Sequence, residues 1–305
     1  MGLKFIKDSA RRLIFASFVK AGRILAGRGI GLIPGVKRIY NLLYNIIMPR
    51  EIALISVQGS KMYVNTRDRW IGPYLLVDGS YEKYETELFK KLIKPGQVVV
   101  DIGANIGYYT LIAARLAGKA GRVYAFEPGP ESFKLLLKNI RINNYTNIIP
   151  VLKAVADRSA KTKLYLHNID YCTVSLAEDN IRPGKGYSID TETVTLDEFF
   201  VNTAKEQKID VIKTDAEGAE GLIIAGAERV LRNNGLSILL EFWPFGLRNL
   251  GSDPLQLLDK LRGYGFKMQF IDETAQALRP IDMERIREVC KDKNNEDSFN
   301  LLLLK

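Results

Sequence analysis

Histidine is nearly missing from this chain: His167 is the only one in 305 residues. Zinc sites built on histidine and a serine–histidine–aspartate nucleophile are therefore excluded unless His167 serves alone. A lone histidine reads first as a structural or pocket-lining residue. Cysteine is almost as scarce. Cys172 and Cys290 lie far apart and match no metal-ligand spacing, so they fit packing roles in a reducing compartment, and the cytoplasm is expected. No apolar stretch approaches the length that spans a bilayer. A secretory leader is not expected, because Lys20 and Arg23 interrupt the first apolar run and no small-residue cleavage site follows it. Position six is Ile6 rather than Ser or Thr, so Met1-Gly2 does not read as a myristoylation site.

Net charge is also missing from most of the chain. The formal charge is +9, and residues 1–50 hold ten Lys/Arg against the single acid Asp8. That leaves 34 of the 44 basic and 34 of the 35 acidic residues to the rest, which is neutral. A nucleic-acid substrate lying along such a body would lack its basic footprint, and none is expected.

What is present is organised around Val98 to Arg115, VVVDIGANIGYYTLIAAR. Val98, Val99, Val100 and Ile102 read as a strand buried on both faces. Gly103 and Gly107 bracket a turn, and helix-compatible residues run from Tyr108 until Gly118 and Gly121 end them. A strand that feeds a helix through glycines gathers backbone N–H groups at one point, suited to the polar end of a cofactor. A dinucleotide fold wants three glycines there. Here Gly103-Ala104-Asn105-Ile106-Gly107 lacks the middle one, and Asp101 at the strand end would repel a pyrophosphate. An acid is welcome to a ligand with an ammonium and a sulfonium, and S-adenosylmethionine carries both. A second strand, Arg122 to Phe126, ends in Glu127-Pro128, an acid placed to accept hydrogen bonds from ribose hydroxyls.

These motifs resemble the FkbM-type family of S-adenosylmethionine-dependent methyltransferases. The residues that carry the likeness are Asp101 to Thr110, then Phe126-Glu127-Pro128, Thr195-Leu196-Asp197-Glu198-Phe199, and Ile212-Lys213-Thr214-Asp215-Ala216-Glu217-Gly218-Ala219-Glu220. The likeness covers roughly Gly72 to the C-terminus. It implies a doubly wound, mostly parallel seven-stranded sheet of the Rossmann-like class I type, with an antiparallel final pair of strands. It also implies O-methylation of a hydroxyl on a sugar, a glycan or a natural product. By the same likeness the segment before the first sheet strand folds over the cofactor, which places Tyr81, Glu85 and Thr86 near it. The cofactor-binding set is then Asp101, Gly103, Ala104, Asn105, Gly107, Tyr108, Glu127 and Pro128, with Tyr81, Glu85 and Thr86. Ala154 and Val155, after a third strand at Ile148 to Leu152, are weaker contacts for the adenine ring.

Three parts are expected: a basic helical arm over 1–50, a lead-in hairpin and helix over 51–96, and the cofactor-binding domain over 97–305. In the arm, Ile14, Phe18, Ala21 and Leu25 share one helical stripe, and Ile39, Leu42, Leu43, Ile46 and Ile47 share another, separated by Gly27, Gly29, Gly31, Pro34 and Gly35. Basic residues beside apolar stripes suit an anionic membrane surface, which would place the protein peripherally at the inner face of a membrane. Packing on the body or on a second copy ranks ahead of that. Ile52 to Val64 reads as a hairpin around Gly59, and a helix follows through Leu88, Phe89, Leu92 and Ile93. Glu131 to Asn143 reads as a helix with Phe133, Leu136, Leu137 and Ile140 inward. Short strands near LYLH and TETVTL flank a polar loop with Pro183, Gly184 and Gly186, long enough to shape an acceptor pocket.

The second chemical centre is Asp210 to Glu220. Val211 and Ile212 end a buried strand, so Lys213, Thr214 and Asp215 lie at its carboxyl end, the edge that faces ligands in open α/β sheets. A helix over 218–232 is expected next. Methyl transfer from a sulfonium to a hydroxyl needs alignment and a group to take the proton. Asp215, Glu217 and Glu220 are the carboxylates for that role, Glu241 at the end of the next strand joins them, and Lys213 orients the acceptor or holds a carboxylate. The plainer reading of the same residues is a capping box, Thr214 with Glu217, at a helix start. No metal is assigned. An NAD-dependent sugar-modifying enzyme and a non-catalytic scaffold of the same fold docked at a membrane remain the alternatives.

Overall fold

The computed structural model describes residues 52–65, 68, 71–168, 173–181, 186–204, 208–292 and 297–305, with scattered positions between 14 and 47. The chain falls into two compact units, Met1–Tyr81 and Glu82–Lys305. In the first, β1 (Ile52–Val57) and β2 (Ser60–Asn65) form an antiparallel hairpin. Its two turn residues, Gln58 and Gly59, have φ of 50° and 82°, the left-handed pair that matches strand twist in a two-residue turn. α1 (Ile71–Asp78) follows. Phe15 is buried against Phe18, Ile47, Leu76 and Val77, whereas Ile14, Ile39, Leu42 and Ile46 are exposed. The rest of the expected arm, Cys172, Pro183 and Gly184 lie outside the described residues.

The second unit opens with α2 (Lys83–Leu92). β3 (Val98–Ile102), α3 (Tyr108–Ala117), β4 (Arg122–Phe126), α4 (Pro130–Ile142) and β5 (Ile148–Val151) then alternate, as the strand and helix patterns predict. On α4 the buried residues are Ser132, Leu135, Leu136, Asn139 and Ile140, so the inward face is rotated from the expected one and Phe133 and Leu137 sit at its margin. Asn139 explains the rotation: its side-chain amide donates to the Ile106 carbonyl at 2.8 Å and draws that face inward.

A small separate sheet comes next, in the order β6-β9-β7-β8, from β6 (Ala154–Val155), β7 (Lys161–His167), β8 (Val174–Ser175) and β9 (Gly186–Val194). The chain returns to the main sheet as β10 (Val211–Thr214), α5 (Glu220–Ala225), α6 (Glu228–Leu231) and β11 (Ser237–Phe242). It ends through α7 (Pro244–Asn249), α8 (Pro254–Gly263), β12 (Lys267–Asp272), β13 (Ala277–Pro280), α9 (Met283–Lys291) and β14 (Phe299–Leu304).

The single helix expected over 218–232 is two. A Cβ on Gly226 would stand 2.3 Å from the Ala156 carbonyl oxygen, so the chain needs glycine there, and α5 ends at it. The second piece has its own cap from a distance: the Asp197 carboxylate accepts from Arg229 N at 2.9 Å and Val230 N at 3.0 Å.

The main sheet has eight strands in the order β13-β12-β14-β11-β10-β3-β4-β5. β11, β10, β3, β4 and β5 are parallel, and β14 runs antiparallel to β11, as expected for the final pair. β13 adds an edge strand beyond the seven anticipated; with two exposed residues, Arg279 and Pro280, it carries little apolar signal. One face of the sheet, with Val100, Ile102, Tyr124, Phe126, Ile212 and Leu240, packs under Leu196, Phe199, Phe200, Ile223, Ile224 and Leu231. Burying each such side chain stabilises by about 1.5–3 kcal/mol. β3 is the strand from which the chain winds in both directions, to β4 on one side and β10 on the other. Ligands of open α/β sheets bind at such a switch point, outside the carboxyl ends of the strands.

Candidate active site

The glycine turn after β3 is fastened to its neighbours by backbone. Gly103 N and Ala104 N both donate to the Phe126 carbonyl at the end of β4, at 3.0 and 2.9 Å. Asp215 N donates to the Ile102 carbonyl at 3.0 Å. Gly103 has φ +77°, and a Cβ there would stand 1.8 Å from the Asp215 carbonyl oxygen. Its glycine is thus required by the loop after β10, which presses against it. Gly107, at φ +96°, faces the Leu136 side chain, which a Cβ would meet at 2.6 Å. Both sheet-edge loops are consequently held in one fixed relation.

Glu127 is buried where β4 ends. It accepts from Asn105 N at 2.8 Å and Gly129 N at 2.7 Å, one bond to each oxygen. Burial raises its pKa to about 7, against the pull of those two N–H groups. A carboxylate offers about four lone pairs, so two remain for hydroxyl donors. Pro128 separates the acid from Gly129, where a Cβ would collide with Glu127 Oε1 at 2.7 Å. Asn105 stands at φ +50°, and its side-chain Oδ1 is buried without a hydrogen-bond partner. Such an orphaned acceptor costs about 1–3 kcal/mol and asks for a donor.

Asp101 lies on the sheet face opposite the aromatic core. The Thr110 hydroxyl donates to its Oδ2 at 2.5 Å, and burial lifts its pKa to about 6. In register beside it on β10 is Lys213. This lysine is 1% exposed, 3.1 Å from Glu85 Oε1, 3.7 Å from Asp215 Oδ2 and 5.2 Å from the centre of the Tyr109 ring. Burial works to strip its proton, but Glu85, Asp215 and Glu82 outweigh burial and hold it charged.

Helix α2 delivers the partners. Glu85 and Thr86 are buried, and Glu82 precedes the helix at φ 42°. The Tyr109 hydroxyl reaches Glu82 Oε2 at 3.1 Å and Glu85 Oε1 at 3.2 Å, and Asn300 Nδ2 donates to Glu82 Oε1 at 3.0 Å. Thr86 Oγ1 meets the Tyr108 hydroxyl at 3.1 Å. Burial and the neighbouring Glu85 raise Glu82 to about 8, and burial raises Glu85 although Lys213 pulls it down. The start of α2 is pinned by a distant acid: Glu273, in the β12–β13 turn, accepts from Tyr84 N and Glu85 N at 3.1 and 2.6 Å.

The carboxyl ends of β10 and β11 carry the remaining acids. The capping box is not formed: α5 starts at Glu220, Thr214 Oγ1 is buried without a partner, and Glu217 sits at φ 50°. Instead Glu220 reaches back to accept from Ala216 N at 2.7 Å; burial lifts it to about 7, and its Oε2 has no partner. Gly218, at φ +94°, lets the loop turn against Gly246 of α7, whose backbone a Cβ would meet at 2.5 Å. The Glu217 carbonyl accepts from Ser175 Oγ at 3.0 Å and Asn180 Nδ2 at 2.8 Å, so β8 and the segment after it clamp this loop. Glu241, at the end of β11, is partly buried; its Oε2 is buried without a partner. Burial, then Asp215, Glu217 and Glu220, push it well above the usual carboxylate range. The Asp215 side chain is 34% exposed, the one acid of this group that opens to solvent while touching Lys213.

The structure therefore brings together Asp101, Gly103, Ala104, Asn105, Gly107, Tyr108, Glu127 and Pro128, and it adds Glu85 and Thr86 through α2. Around Lys213 it gathers Asp215, Glu220 and Glu241, and Glu217 lies near Glu241. Tyr81 falls in the other unit, where its ring meets the edge of Tyr74 at 5.8 Å. Glu82, Tyr109, Thr110 and Asn300 join the site from outside the expected binding and catalytic set. Tyr109 and Thr110 lie in the glycine-turn motif, and Glu82 stands three residues before Glu85, but Asn300 carries no local signal. His167 pairs along β7 with Gly186 of β9, and its backbone N–H goes to the Thr173 carbonyl at 3.3 Å. Among the described residues no cluster of histidine, cysteine, aspartate and glutamate is arranged to hold a metal ion, and no helix is long and apolar enough to cross a membrane.

Lys213 is the cation that pulls down Glu82, Glu85, Asp101, Glu220 and Glu241 alike. Crowded, buried carboxyl groups with raised pKa values are relieved by a ligand that brings positive charge. The ammonium and sulfonium of S-adenosylmethionine answer that electrostatic demand. The spare lone pairs of Glu127 and the orphaned Asn105 Oδ1 are acceptors of the kind its hydroxyl and amino donors need. The donor set fits this cofactor better than a pyrophosphate.

The methyltransferase FkbM domain model matches residues 101–268, more than half of the chain. Methyltransferase sdnD of Sordaria araneosa is 26% identical over 179 residues, spanning 49% of this chain and 68% of that protein. The tRNA(Phe) (4-demethylwyosine(37)-C(7)) aminocarboxypropyltransferase of Methanocaldococcus jannaschii is 41% identical over 70 residues, only 20% of this chain and 28% of that protein. Among solved structures, an FkbM methyltransferase from Methylobacillus flagellatus aligns over 76% of this chain and 52% of its own, at 13% identity and a TM-score of 0.43. The chain belongs to the FkbM methyltransferase family, with S-adenosylmethionine as its cofactor.

Proposed function

We propose that this protein methylates a hydroxyl group of a sugar, a glycan or a related natural product. The observation that carries the reading is Asp215: a carboxylate at the carboxyl edge of β10, one third exposed, held against the buried ammonium of Lys213. Bound S-adenosylmethionine supplies an electrophilic methyl group. A hydroxyl acceptor must lose its proton as its oxygen forms the new bond to carbon. Asp215 takes that proton in this reading, and Lys213, fixed by Glu85 and the Tyr109 ring, holds the carboxylate in position. Glu241 supports a second hydrogen bond to the acceptor. Such a proton acceptor contributes roughly 10²–10⁴ in rate.

The test is methyl transfer from isotopically labelled S-adenosylmethionine to a panel of hydroxyl, amine and carboxyl compounds. Transfer to hydroxyl compounds, with kcat falling at least about a hundredfold in Asp215→Asn, supports the reading. Transfer to amines or carboxylates alone, or an unchanged kcat in the variant, overturns it.

A further inference from the structure

Two residues beyond Glu241 the sheet edge becomes aromatic. Lys213 pairs in register with Leu239, and Glu241 lies two residues on, so Glu241 shares the sheet face of Lys213 and Asp101. Trp243, with φ −114° and ψ 92°, continues the extended backbone by one more step, and alternation returns its side chain to that face about 7 Å further out. The indole is seated by a glycine. A Cβ on Gly246 would stand 2.2 Å from Trp243 Cε3 and 2.6 Å from Cζ3, so no other residue lets the ring rest there. The other side of Gly246 meets Gly218, which directly follows Glu217. Phe245 adds a second ring at 5.6 Å, tilted by 38°. Trp243 and Phe245 are both partly exposed.

An aromatic surface beside carboxylates narrows the acceptor. Glu220 and Glu241 each keep one buried oxygen without a partner, so the complementary ligand presents more than one donor. A phenol offers a single hydroxyl. A pyranose offers hydroxyls on adjacent carbons and an apolar C–H face for the indole. The Asp215 carboxylate, one third exposed at this edge, repels uronates and phosphates. Building on the hydroxyl-methylation reading, we propose that Trp243, seated on Gly246 and flanked by Phe245, is the platform on which a neutral sugar ring stacks, with its hydroxyls turned to Glu241 and Asp215.

The test uses the chain's other tryptophan. In Trp70→Phe protein Trp243 is the sole indole. Its fluorescence is titrated with neutral methyl glycosides, methyl glucuronide and phenol, with S-adenosylhomocysteine present. Saturable shifts are expected with one or more neutral glycosides and weaker ones with the glucuronide and phenol. In the otherwise native chain, Trp243→Ala raises the KM for a methylated glycoside about tenfold while kcat stays within a few-fold, and Trp243→Phe recovers most of the loss. No response to any neutral glycoside, tighter binding of the glucuronide or phenol, or an unchanged KM in Trp243→Ala overturns the platform. Hydroxyl methylation with no effect of Trp243→Ala removes the platform alone. Glycoside binding to Trp243 with methylation only at nitrogen or carboxyl groups supports the platform and removes the hydroxyl reading.

Discussion

Lys213→Met removes the positive charge at the centre of the site while keeping a long, flexible side chain. In the native chain Lys213 Nζ lies 3.1 Å from Glu85 Oε1 with both side chains essentially inaccessible. At an effective dielectric of about 20 that pair alone is worth about 5 kcal/mol of Coulomb energy, and removing one member of a buried pair typically costs about 3–5 kcal/mol. For a domain of this size that lowers the melting temperature by roughly 6–20 °C. The cost depends on pH in a defined direction. Glu82, at about 8, and Glu85 have raised pKa values in the folded state, so the stability they contribute is complete below the unfolded carboxylate value and is lost as pH rises through the folded one. Without Lys213 their values climb further, and the gap between variant and native protein widens as pH rises from about 7 to about 9, through the native value of Glu82. Urea unfolding followed by circular dichroism at both pH values measures this. Adding Glu85→Gln to Lys213→Met relieves part of the loss, because the uncompensated acid is removed with its partner. A loss below about 1 kcal/mol at pH 8, or one independent of pH, refutes the reasoning.

Gly103→Ala places a methyl where the Asp215 carbonyl stands and forces alanine to positive φ; a loss of about 3 kcal/mol is expected in urea unfolding. Glu127→Ala strips the partner from Asn105 N and Gly129 N and removes the acceptor for ribose; calorimetry should show S-adenosylmethionine binding weakened at least about a hundredfold. Cofactor affinity should rise with pH between about 5.5 and 8, because Asp101 and Glu127, at about 6 and 7, must lose their protons to receive a cation and hydroxyl donors; each contributes up to about tenfold per pH unit below its own value. Asn180→Ala releases the Glu217 carbonyl and the Asn249 amide that it holds, and acceptor KM should rise several-fold with little change in cofactor binding measured calorimetrically.

The elements around the cofactor could be read because their signals are local. β-branched runs gave β3 and β10, and the glycines and acids of 101–107 and 127 followed them directly. The role of Gly103 could not be read that way. A glycine beside a strand end suggests room for a ligand, whereas the close approach is made by the Asp215 backbone, more than a hundred residues later. Thr214 and Glu217 match a capping box in spacing, but tertiary contacts win: Gly218 packs on Gly246, the turn is taken through left-handed Glu217, and Glu220 supplies the backward hydrogen bond. The split between α5 and α6 depends on Ala156 and Asp197, and the start of α2 on Glu273; none of these is a neighbour in sequence. Lys213 and Glu85 are each legible as candidates, but that they pair is fixed only by the packing of α2 over the sheet.

The most direct test of the whole account is an NMR analysis of the product formed from S-adenosylmethionine labelled with ¹³C in its methyl group, with a neutral glycoside as acceptor. The account predicts one new methoxyl carbon on the sugar ring, formed by the native chain and nearly absent with Asp215→Asn. A labelled methyl on nitrogen or on a carboxyl group, or a methoxyl formed equally well by the variant, would contradict it.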